Sequence, residues 1–201
     1  MNAHPKSTCP SRGRGFSMME ILITIVILAF GLLGVAGLQA RVQVAETEAY
    51  QRAQAIVLLQ DMVDRITVGR KNAADYVTGT ASPLGTGNAF VDCLGAGYTG
   101  GHKLDLCDWS NALLGASEKK GAADVGAMIG ARGCVTNPVT TMPRELVVAV
   151  VWQGLAPTVA PAATVCGKDL YGDDRLRRAV VARIVIACLQ NDPATGLCVT
   201  P

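Results

Sequence analysis

The sequence predicts an α+β protein in which one long N-terminal helix packs on a small antiparallel sheet. An almost wholly apolar run covers residues 16–38, and a helical pattern continues to about residue 68 with no proline between Phe16 and Pro83. Two later segments, Glu145–Trp152 and Arg178–Leu189, are rich in β-branched residues and bounded by turn residues, as strands are. Packing the sheet on the second half of the helix is the simplest way to bury both surfaces.

The first half of the helix, residues 16–38, has the length and composition of a membrane span. From Ile21 to Leu38 the chain has no charged residue and no strongly polar one except Thr24, and a run of about 18 such residues suffices. As a helix, Met18–Leu38 would extend about 31 Å, close to the thickness of a hydrocarbon core. Residues 1–15 carry basic residues and no acid, which predicts that this end stays in the cytoplasm and that the rest is exported.

The composition argues against several function classes. Residues 1–15 hold three of the 18 basic residues and none of the 16 acidic residues, so their removal changes the formal charge from +2 to −1. A chain without a basic excess gives no support for nucleic-acid binding. His102 stands alone in a glycine-rich stretch, where a solvated loop residue is expected. The chain has no catalytic constellation, and we expect neither an enzyme nor a bound cofactor or metal.

Three interpretations compete for residues 1–38. A secretory signal peptide would have a shorter apolar core, and Glu20 would be unusual inside it. A plain membrane anchor accounts for the length of the run but leaves Glu20, an ionisable residue in a membrane segment, without a role. The third interpretation uses every feature, because the segment Gly15-Phe16-Ser17-Met18-Met19-Glu20 resembles the processing motif of type IV prepilins.

This resemblance implies how the segment is used. In that family a membrane aspartyl peptidase removes the leader, here residues 1–15, by cutting after the glycine, here Gly15. The same enzyme methylates the new N-terminal amine, here that of Phe16. The apolar helix is kept as a membrane anchor and later becomes part of the filament core. Glu20 matches the acid at the fifth position of the processed chain, which is the most characteristic side chain of the family.

The chemistry of Glu20 predicts an assembly contact. A carboxylate in hydrocarbon lacks water and needs an opposing charge. Its own helix offers no lysine or arginine before Arg41, about 30 Å further along. The positive N-terminal amine of Phe16 on a neighbouring subunit would satisfy the carboxylate and set the axial stagger between subunits. The alternative is a carboxyl group that reaches back to the membrane interface.

Residues 39–68 are predicted to continue the helix as an amphipathic half, so that one helix runs from about residue 17 to about residue 68. Gly69 follows the last periodic residues and is a suitable helix stop. The predicted apolar face recurs at three- and four-residue steps with one gap at Gln60. It consists of Val42, Ala45, Ala49, Ala53, Ile56, Val63 and Ile66.

Residues 69–201 are predicted to form an exported head. We expect a mostly irregular connection with one short strand over residues 69–104, then a short helix at Asp105–Leu114 capped by Asp105 or Asp108. A further strand is expected to begin at Cys134-Val135.

Tryptophan and aspartate side chains are the remaining candidates in the head. Trp109 and Trp152 are candidate partner-facing residues, although core packing is favoured for Trp152, which ends a strand. Asp173-Asp174 could bind a cation, but the arginines nearby favour a solvated turn.

The cysteines predict disulfides in an oxidising compartment. Of the seven cysteines, Cys9 lies in the leader, and the even set that remains lies beyond the apolar run. The sequence cannot choose among the possible pairings. Local spacing makes Cys93–Cys107 and Cys188–Cys198 plausible loop closures, which would leave Cys134–Cys166.

Several short segments narrow the resemblance. The head contains Val150-Val151-Trp152-Gln153-Gly154, Cys166-Gly167 and Leu176-Arg177-Arg178, and the helix contains Gly31-Leu32-Leu33-Gly34 and Gly37-Leu38-Gln39. These segments are similar to the PilV family of minor pilins. The resemblance implies a subunit that takes part in initiation and assembly of the type IV pilus, with roles in pilus biogenesis, twitching motility or adhesion.

The same resemblance implies partners and a location. The partners are other minor pilins and the major pilin, met through the N-terminal helix, and the prepilin peptidase/N-methyltransferase. The chain would cross the bacterial inner membrane once, with its head in the periplasm, and could enter the surface pilus. No nucleic acid and no small-molecule substrate is implied. The alternative is a minor pseudopilin of a type II secretion system, which shares the leader, Glu20 and the helix.

Overall fold

A computed structural model describes residues 15–115, 119–120, 123–124, 128–141, 144–191 and 198–200, and only the backbone of residues 119–120, 123–124, 191 and 198–200. The chain divides into two compact units, Met1–Ala45 and Glu46–Pro201. Helix α1, Met18–Val68, is 51 residues long and confirms the single long helix predicted from about residue 17 to about residue 68. It ends one residue before Gly69, whose N–H donates to the carbonyl of Arg65 at 2.8 Å.

The head contains a four-stranded antiparallel sheet and a second helix, which confirms the α+β fold class. Its strands follow one another in chain order across the sheet. They are β1 (Leu84–Gly85), β2 (Arg132–Val139), β3 (Arg144–Gln153) and β4 (Arg177–Ile186), and helix α2 (His102–Leu113) lies between β1 and β2 in the chain. Two small ladders pair Lys119–Lys120 with Ala123–Asp124 and Gln190–Asn191 with Cys198–Thr200.

The predicted strands are confirmed with small changes at their ends. Strand β2 begins at Arg132, two residues before the predicted Cys134. The connection after α1 holds a 3-10 helix, Arg70–Tyr76, and the two-residue strand β1. Its largely irregular character with one short strand is therefore as predicted.

The face of α1 that meets the head differs from the predicted apolar stripe. The buried residues in α1 are Gln51, Ala55, Leu59, Met62 and Ile66. Of the predicted stripe only Ile66 is buried and Val63 partly buried, whereas Ile56 is 49% exposed. Successive helical residues are about 100° apart, which places the predicted stripe roughly 90° away from the true face. The prediction counted small alanines as core positions and left out Leu59 and Met62.

Helix α2 begins earlier than predicted. It starts at His102 after Gly101, and Asp105 lies in its first turn, so the predicted capping role of Asp105 or Asp108 is wrong. His102 is consequently a helical residue and not a solvated loop residue. Its Nδ1 is 3.8 Å from Asp75 Oδ2, and its ring packs edge-on against Tyr76.

The two tryptophans both belong to the core. Trp109 is fully buried, and its indole N–H donates to the carbonyl of Leu58 in α1 at 2.8 Å. The partner-facing role considered for Trp109 is therefore wrong. Trp152 at the end of β3 is also buried, which confirms the core packing favoured for it. Trp109 packs tightly enough that a Cβ added at Gly133 would lie 2.2 Å from its Cη2.

Candidate functional site

The start of α1 is built around Ser17. Its hydroxyl oxygen accepts a hydrogen bond from the N–H of Met19 at 3.2 Å, and its carbonyl accepts from Glu20 and Ile21 at 3.0 and 3.2 Å. Serine at this position satisfies backbone donors that the first turn of a helix leaves open. Gly15 and Phe16 therefore lie outside the helix, and Phe16 is 79% exposed. Exposed positions outside a capped helix favour access by a peptidase.

Glu20 occupies the first turn of α1 and has no partner for its carboxylate among the described residues. A negative charge in the first turn is favoured by the helix dipole, but this effect is modest. The other polar side chains nearby are satisfied locally. Thr24, for example, donates its hydroxyl hydrogen to the carbonyl of Ile21 at 2.8 Å. Glu20 is thus the polar group of this segment that requires a partner from outside the described chain.

Residues 15–47 are exposed throughout, including the large apolar side chains of the first unit. Phe30 and Leu32, for example, are 72% and 69% exposed. Helix α1 is long and apolar enough to cross a membrane, and its most apolar stretch of 18 residues contains no buried residue. A continuous exposed apolar surface of this kind marks a region that meets a membrane or a partner.

Comparison with known protein families identifies both parts of this helix. Residues 10–36 match the model of the prokaryotic N-terminal methylation motif, and residues 37–107 match the family described as type IV pilin Tt1218. The chain is a type IV pilin-like protein. No curated protein and no solved structure matches the chain significantly.

The matched families fit the described geometry of this pilin-like chain. The methylation motif covers Gly15, Phe16 and Glu20 together with the exposed apolar half of α1. The pilin match continues through the second half of α1, β1 and the first half of α2. The pilin match and the methylation motif together imply a pilus-related function, processing by a prepilin peptidase and assembly with other pilins.

Two disulfides lie wholly among the described residues of the pilin-like chain's head. Cys93–Cys107 and Cys134–Cys166 are bonded with Cα–Cα distances of 5.9 and 6.0 Å, which confirms two of the predicted pairs. Cys188–Cys198 stays a prediction, because the side chain of Cys198 is outside the described part of the chain, as is Cys9 of the predicted leader.

A network around Asp105 joins α1, the 3-10 helix and α2. The carboxylate accepts hydrogen bonds from Tyr76 and from Arg65 Nη1, and Arg65 also pairs with Asp61. Burial and the hydrogen bond to Asp105 raise the pKa of Tyr76 well above its ordinary value. No local sequence pattern indicates this network, because its members are dispersed over three elements.

The aspartates considered as a cation site are engaged by arginines. Asp173 pairs with Arg175, and Asp174 pairs with the buried Arg177, whose Nη1 also donates to the carbonyls of Thr164 and Cys166. The hydrogen bond from Arg177 holds the pKa of Asp174 below its ordinary value. Among the described residues no cluster of three or more His, Cys, Asp or Glu side chains could hold a metal ion.

Sequence reasoning missed one long-range pair. Glu48 of α1 accepts from Arg178 Nη2 of β4 and from the N–H of Leu155, each at 3.0 Å. The two charged residues are 130 positions apart, and no local pattern links them.

Proposed function

We propose that this chain is a minor type IV pilin, similar to PilV, that takes part in initiation and assembly of the type IV pilus. The carrying observation is Glu20, which has no partner among the described residues and lies at the start of an exposed apolar helix that matches the N-terminal methylation motif. Residues 16–38 cross the bacterial inner membrane, residues 39–68 continue as a stalk, and residues 69–201 form the periplasmic head. The subunit supports pilus biogenesis and, through it, twitching motility or adhesion.

Processing precedes assembly. A prepilin peptidase cuts between Gly15 and Phe16 and methylates the amine of Phe16. The accessible segment before the Ser17 cap supports this position of the cut. Mass spectrometry of the N-terminal peptide from the membrane-extracted protein is expected to begin with methylated Phe16. A chain that begins at any other residue, in a strain with an active peptidase, would contradict this assignment.

In the membrane, Glu20 meets the N-terminal amine of Phe16 on a neighbouring pilin. A charge-assisted hydrogen bond contributes about 1.5–3 kcal/mol, and it is worth most where water cannot compete. Replacing Glu20 by glutamine keeps the size of the side chain but removes the charge. We therefore expect E20Q to be processed normally and to be recovered in sheared surface fibres at about one tenth of the parental amount or less.

The matched control is Thr24→Val, one turn further along the same helix. Among the described residues its hydroxyl bonds to the carbonyl of Ile21 in the same helix, so T24V is expected to enter fibres as the parent does. Immunoblots of sheared fibres and of membranes measure incorporation and processing separately. Equal recovery of E20Q and T24V would refute the proposed role of Glu20.

A deletion strain separates the pilus from the secretion alternative. The minor-pilin proposal expects loss of surface fibres and of twitching, both restored by the parental chain. Normal fibres together with failed secretion of an exoprotein would instead assign the chain to a type II secretion system as a minor pseudopilin.

A further inference from the structure

A notch in the second unit lies where the Glu48–Arg52 turn of α1 meets the adjacent ends of β3 and β4. It has a volume of about 260 Å³ and is lined by Glu48, Ala49, Arg52, Trp152 and Arg178. Two of the segments that carry the PilV resemblance, Trp152-Gln153-Gly154 and Leu176-Arg177-Arg178, contribute to it. Neither segment has a role in the assembly contact proposed above.

The strand register and one glycine build this notch. Trp152 lies directly opposite Arg178 in the β3–β4 ladder, so their side chains share one face of the sheet. A Cβ added at Gly154 would lie 2.5 Å from Arg178 Cζ, and the glycine therefore leaves room for the guanidinium. Arg178 Nη2 donates to Glu48 Oε1 at 3.0 Å and to the carbonyl of Ala156 at 2.7 Å. Arg178 is thus held in place as a fixed positive charge.

Two donors of the lining are unused. The guanidinium of Arg52 is exposed and has no hydrogen-bond or ion-pair partner among the described residues. Trp152 is 3% exposed, and its buried indole N–H has no acceptor among the described residues. A buried N–H group without an acceptor is uncommon and calls for a specific explanation.

The charges of the lining select the ligand. Arg52 and Arg178 are opposed by one carboxylate, that of Glu48, which already accepts from Arg178 and Leu155. We propose that the notch binds a single carboxylate group, with Arg52 as its bidentate partner and the Trp152 N–H as an additional donor. A planar carboxylate matches the two parallel N–H groups of a guanidinium. A dianion such as phosphate is disfavoured by the neighbouring Glu48.

The carboxylate has two possible sources, an acidic side chain of a neighbouring pilin subunit or a small free carboxylate. Only the first source rests on the proposed function, because it requires assembly. The binding chemistry itself can be tested on the isolated chain, so failure of the site and failure of the proposed function give different results.

The first experiment uses the full chain in detergent micelles with ¹⁵N-labelled tryptophan. Sodium acetate is titrated against sodium chloride at equal ionic strength, and the two indole N–H resonances are followed. Trp109 is the internal control, since its N–H is already bonded to Leu58. We expect a saturable shift of the Trp152 resonance only, and binding about tenfold weaker or less in Arg52→Gln.

Arg183→Gln is the matched control. Arg183 is five residues after Arg178 on the same strand and therefore on the opposite face, and its side chain is 71% exposed. R183Q is expected to bind acetate as the parent does. Acetate shifts that are equal at Trp152 and Trp109, or that persist in R52Q, would overturn the proposal. A Trp152 resonance that does not shift with acetate would also overturn the proposal. That result is expected if the Trp152 N–H bonds to the buried Oε1 of Gln51, which has no donor among the described residues.

The second experiment identifies the source by comparing R52Q and R183Q in sheared surface fibres. Reduced recovery of R52Q alone, by about tenfold, assigns the carboxylate to a neighbouring subunit. Equal recovery of both variants, together with acetate binding by the parent, overturns the subunit source and assigns the notch to a small free carboxylate.

Discussion

Removal of the Cys134–Cys166 disulfide gives a quantitative test of how the head is stabilised. This bond joins β2 to the loop between β3 and β4, and it closes a loop with a sequence separation of 32 residues. Both sulfurs lie in a small core with Ala149, Val151 and Tyr171. The double variant Cys134→Ala/Cys166→Ala therefore removes the covalent bond between β2 and the loop that joins β3 to β4.

The expected cost follows from the loop length. Chain entropy predicts that closing a loop of this length stabilises the folded head by about 3.7 kcal/mol. The same relation gives about 3.0 kcal/mol for Cys93–Cys107, whose separation is 14 residues. Cys134 and Cys166 are 1% and 0% exposed, so the loss of their sulfur contacts adds to the larger value.

Urea unfolding of the full chain in detergent, followed by tryptophan fluorescence, measures both costs. The two indoles are buried in the head, so their emission reports its unfolding. The Cys134/Cys166 variant is expected to lose more free energy of unfolding than a Cys93→Ala/Cys107→Ala variant. A loss below about 1 kcal/mol, or the reverse order of the two variants, would refute the reasoning.

Three further predictions concern packing and pH. Gly133→Ala forces a methyl group against Trp109 and is expected to lower the free energy of unfolding by about 1–3 kcal/mol in the same urea assay. The pKa of Tyr76 is raised above 10.0, the ordinary value for tyrosine, so the head is expected to lose stability as the pH rises above 10.0. Asp105→Asn is expected to lower the pKa of Tyr76, and absorbance at about 295 nm would detect the change. Because the pKa of Asp174 is lowered, the parent is expected to lose stability as pH falls below 3.8, and a parallel acid titration of Asp174→Asn should lack that component.

Local signals were sufficient to predict the long helix and the long strands. The apolar run, the proline-free stretch between Phe16 and Pro83 and the β-branched segments are continuous in sequence, and each predicts its element to within a few residues. Local spacing predicted the disulfide Cys93–Cys107, and Cys134–Cys166 was the pair that the spacing left over. Helix α2 was placed three residues too late, because Asp105 looked like a cap while the true start follows Gly101.

Contacts between elements that are distant in sequence were not predictable from local patterns. The face of α1 that is buried depends on where the sheet lies, and the stripe through Ile56 was apolar enough to suggest the wrong one. The contact of Glu48 with Arg178 joins residues 130 positions apart, and only the fold brings them together. At the N-terminus the reverse holds, since Ser17 and Glu20 act within one helical turn and their motif is visible in the sequence.

The cap of α1 has a consequence for maturation. Every hydrogen bond described for the cap, from Ser17 to Met19, Glu20 and Ile21, joins residues that follow the proposed cut after Gly15. A cut after Gly15 would therefore keep each of these hydrogen bonds in place. The cut would place a new charged amine on Phe16, two residues before Met18, where the helix begins.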